Sequence, residues 1–305
     1  MRTAFIRSLA ELARIDERVF LVVGDLGFSV VEDFAHEFPD RFLNAGVAEQ
    51  NMTGLAAGLA AEGFHVFTYS IGNFPTLRCL EQVRNDVCAH RLPVTVVAVG
   101  AGFSYGNMGY SHHAVGDLAA MRSLPHMTIL SPADPREAAA CAPALLASGG
   151  PGYLRLGKAG EPLLDGSRPI DLLAGPSCLD RGDGEVALCA TGPILSEAMR
   201  AADLLRARGL RPGVFSCPLI APIGDATLAS LWAYRGVVTI EEHVAAGGFG
   251  SLLREHAPPK TRIVSLTADR NLTDLVGSQE FLRTRHGLNA ERMVSACIAL
   301  AEEVR

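Results

Sequence analysis

Short apolar, β-branched runs alternate along this chain with stretches in which apolar positions recur every three or four residues. Continuous apolar runs read as buried strands, and the longer period reads as one face of a helix. "RVFLVVGD" predicts a buried strand, "QNMTGLAAGLAAEG" a helix and "HVFTYS" the next strand. The series continues with "LRCLEQVRNDVCAH" (helix), "PVTVVAVG" (strand), "AVGDLAAMRSLP" (helix), "MTILSP" (strand), "DPREAAACAPALLAS" (helix) and "PGYLRLG" (strand). Strand and helix alternating at this spacing predict an α/β fold with a doubly wound parallel sheet.

The stretch "GKAGEPLLDGSRPIDLLAGPSCLDRGDG" is rich in Gly, Pro and Asp and carries no period, so it predicts a linker. A second α/β series follows: "GEVALCATG", "PILSEAMRAADLLRARGL", "RPGVFSCPLI", "YRGVVTIEEH" and "GFGSLLREHAP". Pro193 and Ser196 bracket a helix start, and Gly209 stands where a C-cap glycine ends it. The expected organisation is a first domain over 1–165, a linker over 166–182 and a smaller α/β domain over 183–305, without internal repeat.

Composition agrees with two ordinary cores, since 49% of the 305 residues are hydrophobic. The net charge of -6, without a basic stripe, argues against a nucleic-acid surface. The opening "MRTAFIRSLAELARIDERVF" is amphipathic and interrupted by charges, unlike a signal peptide. No window approaches the ~18 apolar residues of a membrane span. Seven cysteines lie scattered without a CxxC pair, which predicts reduced thiols in a cytoplasmic protein.

In open α/β sheets ligands sit beyond the carboxyl ends of strands. "GDLGFS" after the first strand offers Asp25 and Ser29, and "YSIGNF" after the second offers Tyr69 and Phe74. The long Gly-rich loop "GAGFSYGNMGYSHHAVGD" brings His112 and His113, and "LRLGKAG" brings Lys158. Each also has a plain reading as turn former, core aromatic, structural histidine or solvated lysine. Glu49 is the acid at the start of the small-residue run "NAGVAEQNMTGLAAGLAAEG", where the helix dipole alone favours a negative charge.

The elements "GVAEQNM", "YS…F…LEQVRNDV", "SHH" and "IEEHVAAGGFGS", in this order, resemble the transketolase family of thiamine-diphosphate-dependent enzymes. The likeness is to their C-terminal two-thirds, a pyrimidine-binding domain followed by the transketolase C-terminal domain. The corresponding part of 1-deoxyxylulose-5-phosphate synthase is similar. The resemblance implies that Glu49 hydrogen-bonds the ring nitrogen of the cofactor's aminopyrimidine. A carboxyl withdrawn from water is disposed to share a proton with such a ring, which promotes the ylide that does the chemistry.

The same resemblance implies an aromatic platform at Phe74, with Tyr69 nearby, and cofactor contacts at Asp25 and Leu26. His112 matches a histidine that binds the donor sugar and acts in catalysis, with His113 beside it. Arg2, Ser29 and Lys158 match phosphate-binding positions. The chain departs from the pattern at Lys158, where arginine is usual, at Gly100 in place of a histidine, and at Met108 in place of an acid. These departures bear on substrate specificity.

The family's diphosphate site uses Mg2+ or Ca2+ on a "GDG…N" segment. "RGDGEVALC", beginning at Arg181, runs straight into a strand without the matching asparagine, and predicts a turn. No metal site is therefore expected in this chain, and an α-like partner is expected to bring the diphosphate and the metal. The chain then reads as the β-like subunit of a split transketolase, in an α2β2 assembly, moving a two-carbon ketol unit between sugars or sugar phosphates. The alternative is a subunit of a carbon–carbon ligase or of a 2-oxo-acid decarboxylating (dehydrogenase) complex, which uses the same cofactor.

Overall fold

The computed structural model describes residues 1–164 and 170–304. Its twelve described strands, in chain order, are β1 (Val19–Val23), β2 (Phe42–Asn44), β3 (His65–Ile71), β4 (Val94–Val99), β5 (Thr128–Leu130), β6 (Gly152–Leu156), β7 (Ser177–Asp180), β8 (Val186–Ala190), β9 (Gly213–Ser216), β10 (Leu219–Ala221), β11 (Gly236–Val244) and β12 (Arg262–Ala268). They form two sheets. The first runs β10-β5-β6-β4-β3-β1-β2, and the second runs β12-β11-β8-β9-β7. All pairings are parallel except β10 on β5 and β7 on β9, both at sheet edges.

In the first sheet the chain leaves β1 for β2 on one side and returns to β3 on the other. Such a reversal opens a crevice at the strand ends. Register makes the ends coincide, because Val23 lies opposite both Asn44 and Tyr69. Gly24, Asn44 and Ser70 therefore meet at one rim. Helix α1 (Arg2–Ile15) covers one face with Phe5, Ile6, Leu9 and Ala13, spaced to fall on one stripe. Helices α2 (Glu32–Glu37) and α3 (Glu49–Ala61) flank the crevice.

Three parts of the chain differ from the sequence expectation. "RPGVFSCPLI" is two strands in two sheets, because Pro218 lacks the N–H that a continuous ladder needs. β9 stays in the second sheet, while β10 crosses to edge the first. The aperiodic stretch expected as a linker contains β7, whose four residues are too few to display a period. The expected boundary at 165/166 falls outside the described residues. "LRCLEQVRNDVCAH" is helical as expected but not uniformly α: a 3-10 segment Leu77–Cys79, one α turn Leu80–Gln82 and a π segment Val83–Cys88. β2, β12 and the helices Gln279–Arg285 and Ala290–Glu303 complete the fold beyond the elements expected.

The two sheets share an apolar seam. Leu118, Met121 and Leu124 of the first half cluster with Phe215, Phe249, Leu252 and Leu253 of the second. Below it lies a fully buried polar group: Asp117 Oδ2 accepts from Tyr153 Oη at 2.6 Å and from Arg155 Nε at 2.7 Å. Arg155 Nη2 also donates to the carbonyls of Ala114 and Glu242, one on each side of the seam.

Candidate active site

Glu49 is the first residue of α3, beside the free N–H groups of the helix start. It is 2% exposed. Its Oε1 accepts from Ser70 Oγ at 3.3 Å, and its Oε2 accepts from Arg78 Nη1 at 2.7 Å. Gly24 forms the floor: a Cβ there would stand 3.4 Å from Ser70 Oγ and 3.6 Å from Glu49 Cγ. The carboxylate thus sits in the crevice between β1 and β3, aimed at the rim.

Phe74, half-buried, follows the end of β3. The Arg78 guanidinium carbon lies 4.6 Å from the centroid of its ring. His112 meets the same ring edge-on, with centroids 5.2 Å apart and planes at 76°. Glu49, Phe74, Arg78 and His112 therefore form one continuous group.

The loop that carries His112 is held from two sides. Asn73 Nδ2 donates to the carbonyls of Ser111 and His113, each at 3.1 Å. From the second sheet, Glu242 Oε2 accepts the Phe103 N–H at 3.2 Å, and Gln279 and Arg283 also bind the Glu242 carboxylate. His113 is buried, with Nε2 3.3 Å from the Gly106 carbonyl and its ring edge-on to Phe103. Burial lowers its pKa below the ordinary histidine value, so the ring is neutral near pH 7.

Asp25 is exposed at the rim in the left-handed region, with φ 54°. It forms a reciprocal pair with Asn44: its N–H donates to Asn44 Oδ1 at 3.1 Å, and Asn44 Nδ2 donates to Asp25 Oδ1 at 3.0 Å. Leu26 next to it is half-buried against the first core. Tyr69 is not brought to this group. Adjacent residues of a strand face opposite ways, so Ser70 faces Glu49 while Tyr69 packs with Phe5 and Leu9 under the Gly27 turn. Its hydroxyl is buried, and burial holds its pKa above the ordinary phenol value while the Arg2 charge offsets part of that rise.

Lys158 is exposed, with Nζ 5.1 Å from the Tyr105 ring centroid, and Tyr105 in turn lies 6.4 Å from the His112 ring. Burial raises the Tyr105 pKa, and the Arg2 charge offsets part of that rise. Ser29 lies apart, in the groove between α1 and α2, with its N–H on Glu32 Oε1 at 2.7 Å. Gly100 explains itself: its φ is 100°, and a Cβ there would stand 2.3 Å from the Tyr105 ring. The space over position 100 belongs to Tyr105. Met108 is exposed on the His112 loop.

Arg78, Asn44, Ser70, Asn73, Tyr105 and Glu242 take part without having been singled out in the sequence. Arg78 follows Phe74 closely in the sequence, which is a readable signal. Glu242 lies inside "IEEHVAAGGFGS", and nothing local tells that its partner is Phe103. "RGDG" is the turn between β7 and β8, with the Asp183 and Gly184 N–H groups on the Arg211 carbonyl. Among the described residues no cluster of three His, Cys, Asp or Glu could hold a metal, and no helix is long and apolar enough to cross a membrane. A buried acid beside an aromatic face fits a planar nitrogen heterocycle, which needs one hydrogen-bond partner in its plane and one stacking surface.

Comparison with known proteins bears on the chain as a whole. Residues 1–160 match the family model "Transketolase, pyrimidine binding domain", and residues 177–263 match "Transketolase, C-terminal domain". The chain is 33% identical over 308 residues to the 6-deoxy-6-sulfo-D-fructose transketolase subunit SqwH of a Clostridium strain, covering 99% of this chain and 94% of that protein. It is 34% identical to a 1-deoxy-D-xylulose-5-phosphate synthase of Geobacter sulfurreducens over 95% of this chain. The match spans 46% of that synthase, just under half of the full-length enzyme and not the two-thirds expected. A solved split-gene transketolase, described as an inactive beta4 tetramer, superposes with a TM-score of 0.87 at 32% identity, over 100% of this chain and 98% of the other.

Proposed function

Because the chain belongs to the transketolase family, we propose that it is the β-like subunit of a split, thiamine-diphosphate-dependent transketolase. The single observation that carries this reading is the buried Glu49 carboxylate at the sheet's reversal point, joined to the Phe74 ring through Arg78. Glu49 would hydrogen-bond the pyrimidine nitrogen and hold a proton there. Phe74 would stack on the ring, an arrangement worth about 0.5–1.5 kcal/mol beyond burial. Asp25 and Leu26 form the adjoining rim. Thiamine diphosphate, when bound, supplies the nucleophilic carbon and the electron sink.

His112, whose ring meets those of Phe74 and Tyr105, would hydrogen-bond a ketose hydroxyl. His113 acts through the loop it stiffens. Lys158, beside Tyr105, would with Arg2 form a cationic end for the far anionic group of a sugar phosphate or sulfonate, and the sulfofructose relative favours that choice. Ser29 would serve as an outlying contact. The diphosphate, with Mg2+ or Ca2+, is assigned to an α-like partner carrying a "GDG…N" segment, in a cytoplasmic α2β2 assembly with two-fold symmetry.

The test is reconstitution with such a partner. Glu49→Ala in the assembled complex is expected to lower ketol transfer by orders of magnitude with assembly intact; full activity in that variant overturns the reading. The synthase relative supports a second reading, a decarboxylating ligase, and release of CO2 from pyruvate by the reconstituted pair discriminates between the two.

A further inference from the structure

A guanidinium and an aminopyrimidine make similar demands on a protein. Both are planar, both carry N–H donors that suit a carboxylate, and both stack on aromatic rings. Arg78 meets both demands at once, with Nη1 2.7 Å from Glu49 Oε2 and its guanidinium carbon 4.6 Å from the Phe74 centroid. One side chain of this protein therefore covers the two groups assigned above to the cofactor ring.

We propose that Arg78 is a displaceable stand-in for the aminopyrimidine: it keeps Glu49 in place and Phe74 covered, and it swings out to solvent when the ring enters. The inference rests on the reading of Glu49 and Phe74 as cofactor contacts and adds a residue that sets how readily the site is filled. Glu49 needs such a partner, because a carboxylate at 2% exposure without a counter-charge carries a large desolvation cost. Its other contact, Ser70 at 3.3 Å, is a long hydrogen bond. Arg78 is also free to leave. Its side chain is 47% exposed, so the guanidinium has water on one side and a flexible stem behind it. It stands on the short 3-10 segment Leu77–Cys79 that opens the helical run continuing through Cys88.

Filling the site is then an exchange and not a simple entry. If the guanidinium holds the site about nine-tenths of the time, removing it tightens ring binding about tenfold. The experiment uses the full-length chain, with thiamine and 4-amino-2-methylpyrimidine as probes, titrated by calorimetry or ligand-observed NMR. Arg78→Ala is expected to bind the probes about tenfold tighter than the unmodified chain. Arg78→Lys, which keeps the charge but not the plane, should fall between them and serves if the alanine variant does not fold.

Peptide-resolved labelling with phenylglyoxal provides a readout independent of affinity. Arg78 in the unmodified chain should label faster as thiamine is added. If Arg78→Ala and Arg78→Lys bind no tighter, and labelling of Arg78 does not rise, while Glu49→Gln loses the probes, the inference is overturned and the cofactor reading stands. If Glu49→Gln binds the probes as well as the unmodified chain, the cofactor reading fails and takes the inference with it.

Discussion

The Glu242 carboxylate on β11 accepts the Phe103 N–H at 3.2 Å, so the loop that carries His112 is anchored by the other sheet. Gly102 makes that approach possible. Its φ is 58°, and a Cβ would stand 2.2 Å from Glu242 Oε2.

Gly102→Ala is accordingly expected to displace either the loop or Glu242. Strain at a left-handed position adds to the clash, at a cost on the order of 1–3 kcal/mol. Denaturant unfolding measures that cost. Steady-state kinetics of the reconstituted enzyme should show KM for the donor sugar rising along with the loss in kcat, because His112 moves with the loop.

Arg155 and Asp117 form an ion pair with neither side chain more than 2% exposed. Removing one partner of such a pair typically costs about 3–5 kcal/mol, because the other is left buried and charged. Arg155→Met should therefore destabilise strongly in equilibrium unfolding. Adding Asp117→Asn should recover part of the loss, and strictly additive losses would show that the two are not energetically coupled.

Lys158→Ala is expected to weaken the use of phosphorylated or sulfonated sugars while leaving neutral acceptors little changed. A ratio of kcat/KM between the two substrate types reads this directly. An equal loss on both would remove Lys158 from anion binding.

His65, the buried first residue of β3, opposite Val19 of β1, stacks on Phe67 with centroids 5.0 Å apart, and desolvation lowers its pKa to about 4. The unfolded chain titrates near 6.5, so a depressed folded value contributes stability that is full above pH 6.5 and lost as pH falls through 4. Unfolding free energy should drop by about 2–3 kcal/mol between pH 7 and pH 4 from this group alone. His65→Phe should flatten that part of the profile, as urea titrations at several pH values would reveal.

Local pattern carried much of the fold. Runs such as "VFLVV" and "VTVVAV" could be little other than buried strands, and α1 declares its inner face at Phe5, Leu9 and Ala13. Glu49, Phe74 and His112 were legible because strand ends and long Gly-rich loops are where such sheets hold ligands, and because their wording resembles one family. Tyr69 and Ser29 looked equally eligible, but strand alternation turned Tyr69 toward the first core and Ser29 stands apart in the α1–α2 groove, which only the assembled fold could show.

What remained hidden shares one cause, contact between segments far apart in the chain. Pro218 can be read as a strand breaker, yet only packing decides that β10 crosses to the first sheet. Glu242 gives no local sign that it will hold Phe103, 139 residues away. Arg78 is visible as a charge on a turn, but its place on Glu49 and Phe74 exists only once β3 and α3 have come together. Periodicity and turn chemistry are properties of neighbouring residues, so the sequence alone determined the elements and the residue types at their ends. Which charges pair, which aromatic meets which acid and which half holds the histidine loop depend on desolvation and close packing across the assembled sheets, and those were settled by the tertiary structure.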